Sequence, residues 1–463
     1  ITIQDKPVVS ITAPTTGTSL CAGNTLSPTA SFTVCNGTIS NYTWTITNGT
    51  PTSATTASPG TITFNTPGTA TIKVKASNEC GMSNEASVDV TVKPVPVAVS
   101  TPTTGSVCSG QSFSGFAFST NPNLTGTIFN WTATGSGVTP PATSGNGNIS
   151  NVTYNNTGTS NGTVTYTVTP SLNGCTGAAI SPVVTVKPIP SITASPATQT
   201  ICSGGTTQKV TLNSNITSGT TYTLAVTPNS NVNGLLSGGA LTGNEIAGHQ
   251  LTLASGVTTQ QTVTYTVTPS NNSCNGSSIT ITYTINPLPI FSAQVPSSKE
   301  ICSGESVNIS LEATPSSTFN WTASCPTSGV TGFNATGSGA TINDVIVNST
   351  ASPATVTYTI TPVSSLTSCS GAAKVITVSV KPKPSLTFNP QSQTICSGVA
   401  AAPINITSTV TGTTYTWTGS VTAGTAGSYT ASGTASTINA GTIVNLGAVP
   451  ATVTYEVTPN ISG

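Results

Sequence analysis

The sequence predicts an all-β protein built from tandem, head-to-tail β-sandwich repeats, and three observations carry that expectation. A set of phrases recurs along the 463 residues with one shared period. Apolar and polar residues alternate in short runs, and Gly, Pro, Asn and Ser separate those runs as turns.

The period is marked three times in each repeat. Val92-Lys-Pro-Val-Pro96 recurs as Val186-Lys-Pro-Ile-Pro190, Ile285-Asn-Pro-Leu-Pro289 and Val380-Lys-Pro-Lys-Pro384. Each repeat opens with a Cys-Ser-Gly turn, at Cys108, Cys202, Cys302 and Cys396, with Leu20-Cys21-Ala22-Gly23 as a variant. Late in each stands Thr163-Val-Thr-Tyr-Thr-Val-Thr-Pro170, matched by phrases starting at Thr262, Thr355 and Thr452.

The late phrase reads as a strand. Val164, Tyr166 and Val168 fall on one face and the threonines on the other, as a period of two requires. An earlier strand holds Trp44, Trp131, Trp321 and Trp417 in the contexts Tyr42-Thr-Trp, Phe129-Asn-Trp, Phe319-Asn-Trp and Tyr415-Thr-Trp, while the third repeat has Tyr222-Thr-Leu. A mid-strand Trp followed later by a strand Tyr is the core pattern of immunoglobulin-like sandwiches of about 100 residues. These four Trp, with Tyr166, Tyr265, Tyr358 and Tyr455, are therefore expected as core residues rather than ligand platforms.

The Lys-Pro-x-Pro phrases fall where one sandwich ends and the next begins, and paired prolines stiffen the crossing. The expected divisions are the end of a preceding repeat at 1–6, then sandwiches at 7–94, 95–188, 189–287, 288–382 and 383–463, the last without its final strand. With each sandwich about 30–40 Å long, the array is expected to be elongated.

Composition narrows the function classes. Only 4% of residues are charged, the formal net charge is zero, and no Arg occurs. Nucleic acid and anionic membranes need a cationic face, so neither is an expected partner. No apolar run reaches the ~18 residues of a membrane span, so direct membrane insertion is not expected. Eleven Cys without any Cys-x-x-Cys spacing point to an oxidising, extracellular compartment.

Chemistry is hard to place. His249 is the sole histidine, so no Ser-His-Asp or Cys-His arrangement can be built within one chain, and the expected setting is a loop. Asp5, Asp89 and Asp344 are far apart in sequence and offer neither a carboxylate pair nor a calcium loop. Catalytic residues, metal ligands and cofactors are all expected to be absent.

The first repeat, with Tyr42-Thr-Trp, Pro67-Gly-Thr-Ala-Thr-Ile-Lys-Val74 and Ala76-Ser-Asn-Glu-Cys-Gly81, resembles polycystic-kidney-disease (PKD) domains. The later ones resemble the PKD-like repeats of giant Bacteroidota surface proteins exported by type IX secretion, such as SprB-type gliding-motility adhesins. That resemblance implies a non-catalytic stalk at the cell surface, attached to the outer membrane through other regions. Its implied partners are a surface polysaccharide or other substratum, and secretion and motility machinery reached through those regions. Two alternatives stay open: a spacer or carbohydrate-binding appendage of a secreted hydrolase, and a self-associating surface-layer or matrix scaffold.

On an immunoglobulin-like template the Cys-Ser-Gly turn and the Cys after the Tyr strand lie at opposite ends of a sandwich. Stacking then favours bonds partly between repeats: Cys21–Cys175, Cys108–Cys274 and Cys202–Cys369, with Cys35–Cys80 and Cys302–Cys325 inside their own. The alternative, requiring another strand order, is intradomain bonding as Cys21–Cys80, Cys108–Cys175, Cys202–Cys274 and Cys302–Cys369.

Overall fold

The computed structural model describes residues 1–461, and among these every regular element is a β-strand. Alternation of Val, Ile or Tyr with Thr is the local cause: β-branched and aromatic side chains fit a pleated surface with one buried face. In the strand Gly162–Leu172, Val164, Tyr166 and Val168 are buried while Thr163, Thr165 and Thr167 are half-buried or exposed.

Units one to four each contain a sheet of the same strand order. In the second unit its order is Thr104–Cys108, Val183–Lys187, Gly162–Leu172, Ile128–Ser136 and Ser144–Asn146. A three-stranded sheet of Ala98–Thr101, Ser112–Thr120 and Ile149–Thr153 accompanies it. A cluster that includes Phe113, Phe116, Tyr154, Val164, Tyr166, Val168 and Val186 fills the core, with Trp131 packed against it. The fifth unit has a smaller sheet, in which Thr413–Ala423 pairs with Ser432–Gly433 and Thr452–Ile461.

Trp44, Trp321 and Trp417 are buried, as are Tyr166, Tyr265 and Tyr358; Tyr455 is half-buried against the fifth core. Apart from this shared packing, one pairing defines the repeat. The short strand ending in the early Cys runs parallel to the last strand of its unit, and the register is the same four times. Cys21 stands opposite Lys93, Cys108 opposite Lys187, Cys202 opposite Asn286 and Cys302 opposite Lys381. Both strands thus arrive together at the end of the sandwich from which the chain leaves for the next unit.

The late Cys lies at the other end. In the second unit Gly162 pairs with Val186 near the exit, whereas Leu172, ten residues further along the same strand, pairs with Cys175. Ten residues of strand span roughly 34 Å. Asn173 and Gly174 make the turn between them, both with positive φ (50° and 84°), which is the two-residue hairpin geometry that Asn-Gly favours.

Candidate functional site at the junctions

Three disulfides link successive units: Cys21–Cys175, Cys108–Cys274 and Cys202–Cys369, with Cα–Cα distances of 5.6, 5.6 and 5.7 Å. Each joins the exit end of one sandwich to the late hairpin of the next. The intradomain pairs Cys108–Cys175, Cys202–Cys274, Cys21–Cys80 and Cys302–Cys369 do not form, because their members lie at opposite ends of one sandwich.

Two further expected bonds are also corrected. Cys35, Cys80, Cys302 and Cys325 are free, as is Cys396. The Cys80 thiol donates to the Gln4 carbonyl (3.2 Å), and the Gln4 side chain lies 3.3 Å from the position of a Cβ on Gly37, so Gln4 engages the Cys80 thiol and packs beside Gly37. Cys325 follows the strand Ser317–Ser324, three strands across the sheet from Ser298–Cys302. That offset is about 14 Å at ordinary strand spacing, well beyond disulfide reach.

Around the first two bridges the same contact recurs. Lys93 Nζ donates to the Asn173 carbonyl of the next hairpin (3.1 Å), and Lys187 Nζ donates to the Asn272 carbonyl (3.1 Å). At the third junction Asn286 replaces the lysine and is buried, accepting from Gln260 Nε2 at 2.7 Å. Lys381, after the fourth unit, instead pairs with Glu300 at 2.8 Å.

A glycine two residues after each bridged hairpin Cys carries the linker. Cβ atoms added to Gly177, Gly276 and Gly371 would lie 1.8, 1.9 and 2.1 Å from the carbonyls of Pro96, Pro190 and Pro289. Those prolines are the second of each Pro-x-Pro phrase. A Cβ is excluded there, so the Cys-x-Gly hairpin forms a seat on which the linker backbone rests.

In the second, third and fourth sandwiches the strand Tyr carries a polar partner whose source differs from one to the next, whereas the Tyr455 hydroxyl of the fifth is buried without one. The Tyr166 hydroxyl lies 2.7 Å from that of Tyr154. Tyr265 accepts from the Leu236 N–H and lies 2.8 Å from His249 Nε2. Tyr358 donates to Asp344 Oδ2 at 2.7 Å, while Asn334 donates to the same buried carboxylate through its backbone and side chain. His249 lies in the loop between Glu245–Ile246 and Thr252–Leu253, as expected, and from there its ring stacks on Tyr265 and meets the edge of Tyr283. Burial raises the phenol pKa of Tyr166 and Tyr265 and moves Tyr283 up to about 12; Tyr358 rises through burial, then through its bond to Asp344.

Tyr166, Tyr265 and Tyr358 are hydrogen-bonded core groups, and the Tyr283 hydroxyl is buried without a partner. Among the described residues no cluster of three or more His, Cys, Asp or Glu could hold a metal ion. A surface hollow of about 540 Å³ beside Ile192, Ala194, Ser278 and Thr280 is lined by no ionisable side chain. Among the described residues no helix is long and apolar enough to cross a membrane.

A PKD-like domain model matches residues 99–190, 199–289, 299–384 and 393–463, and a PKD domain model matches 10–92. The chain belongs to the PKD-like domain family. No curated protein matches it. Among solved structures, the protocadherin gammaB4 extracellular domain is similar at 10% identity, with 98% of this chain and 84% of that one covered and a TM-score of 0.29. The titin domains I67–I69 are similar at 14% identity, covering 61% of this chain and 98% of that one (TM-score 0.32). The human desmocollin-1 ectodomain is similar at 10% identity, with 97% of both chains covered (TM-score 0.27).

Proposed function

We propose that this PKD-like array is a non-catalytic extracellular stalk that extends from a cell surface and mediates adhesion. The observation that carries the reading is the double covalent crossing of three successive junctions, each by a peptide linker and a disulfide. Such bonds form and persist outside the reducing cytosol, and stapled junctions suit a projection that must keep its reach. Surface polysaccharide or another substratum is the proposed target, with outer-membrane attachment, type IX export and a role in gliding supplied through other regions.

The appendage reading, in which the repeats bind carbohydrate for a secreted hydrolase, is less favoured by the side chains. Sugar-binding faces of that kind present flat aromatics to solvent, whereas every described Phe, Tyr and Trp is buried or half-buried. The test is antibody labelling of intact cells against the second to fourth units, with attachment measured before and after deletion of those units. Surface labelling with reduced attachment is expected. Absence of labelling on intact cells, or normal attachment after deletion, would overturn the proposal.

A further inference from the structure

The disulfides also reroute the covalent path along the array. From Cys21 the bond leads to Cys175, and the chain continues through Val183–Lys187, the prolines, Ile192–Ser195 and Thr198–Cys202. There Cys202 bonds to Cys369, and Lys374–Lys381 follows. A second path is interleaved with the first. It passes from Ala86–Lys93 through Ala98–Thr101 and Thr104–Cys108, crosses to Cys274, and continues through Ile279–Asn286 to Ser298–Cys302.

Both paths consist of the first and last strands of the sandwiches, all pointing the same way. They run side by side because the strand ending in the early Cys is hydrogen-bonded in parallel to the last strand in units one to four. The intervening strands, including those bearing the core Trp and Tyr, hang between them as closed loops.

We infer that the first path is a tension rail with the second hydrogen-bonded beside it: pulling on the chain ends loads the first path and bypasses the cores of the first four sandwiches. Cys21–Cys175 and Cys202–Cys369 close sequence separations of 154 and 167 residues. At about 3.4 Å per residue this withholds roughly 1,100 Å of contour length. The stretch Cys175–Cys202 that remains in the path is already strand for much of its length, so little is left to draw out. This mechanical property is independent of what the stalk binds.

Single-molecule pulling of the whole oxidised chain between its two ends tests the inference. The maximum extension is expected to fall short of the reduced chain by roughly 1,100 Å, and that length should appear when a dithiol reductant is added under load. The rail also makes an asymmetric prediction. Cys202→Ala with Cys369→Ala should lengthen the oxidised extension by about 460 Å, because the shortest route must then run back from Cys175 to Cys108 and pass through Cys108–Cys274. Cys108→Ala with Cys274→Ala should leave it unchanged, since the shortest route does not use that bond. An oxidised chain extending as far as the reduced one, or equal lengthening in the two double variants, would overturn the inference. The wild-type comparison before and after reductant decides it even if a variant fails to fold.

Discussion

Cys108 and Cys274 are 166 residues apart in sequence, yet their Cα atoms lie 5.6 Å apart across the junction of the second and third sandwiches. The pairing follows from two local facts: Cys108 ends a strand in register with Lys187 at the exit of its unit, and Cys274 follows the hairpin turn at the entrance of the next. Lys187 then reaches the Asn272 carbonyl of that same hairpin.

Thiol chemistry should divide the eleven cysteines. In the unreduced native chain, Cys35, Cys80, Cys302 and Cys396 are free and exposed, and Cys325 is free and half-buried. Alkylation followed by mass spectrometry should modify the first four readily and Cys325 more slowly. Labelling of Cys108 or Cys202 without reductant would contradict the assignment.

Gly177→Ala should loosen the second unit's linker seat. The new Cβ would lie 1.8 Å from the Pro96 carbonyl, which is backbone and cannot swing aside. A loss of about 1–3 kcal/mol is expected by analogy with overpacking. Faster proteolysis within Pro94–Pro96 and a lower melting temperature would report it. Alanine at Gly204, where nothing lies within 4 Å of the added Cβ, should cost less, about 1 kcal/mol for its left-handed backbone.

Tyr358→Phe should destabilise the fourth sandwich, because the buried Asp344 carboxylate then loses one of its donors. Leaving a buried acceptor short of partners costs about 1–3 kcal/mol. Chemical denaturation of wild type, Tyr358→Phe and Tyr358→Phe with Asp344→Leu measures it. The double variant should recover part of the loss by removing the stranded charge.

Alkaline pH should weaken the fold through its core phenols. Burial raises the Tyr283 pKa to about 12 from an ordinary value of 10.0, so the native state holds its proton more tightly than the unfolded chain. That contribution is fully present below pH 10 and is lost as pH rises through about 12. Tyr166, Tyr265 and Tyr358 shift in the same direction for the same first cause. Denaturation midpoints should be insensitive to these groups from pH 7 to 9 and fall above 10. Tyr283→Phe should reduce the fall.

The periodic phrases and strict alternation around Val164, Tyr166 and Val168 made the sandwich array legible from residues alone, since both signals are local. Strand order then placed the early and late Cys at opposite ends of a unit. Lateral distance was not legible. Cys302 and Cys325 look adjacent along the chain, but three strand spacings separate the strands on which they lie or which they follow. Gln4, which engages the Cys80 thiol and packs beside Gly37, is likewise remote from both in sequence. The Tyr partners escaped notice because Tyr154, His249 and Asp344 differ in type and in distance from their Tyr, so no motif marks them. The only hint was that each is a polar or aromatic residue shortly before the Tyr strand.

Non-reducing peptide mapping of the native chain tests the stapled junctions most directly. The account predicts cross-linked peptides joining Cys21 to Cys175, Cys108 to Cys274 and Cys202 to Cys369. Recovery of Cys108 joined to Cys175, or Cys202 joined to Cys274, would contradict it.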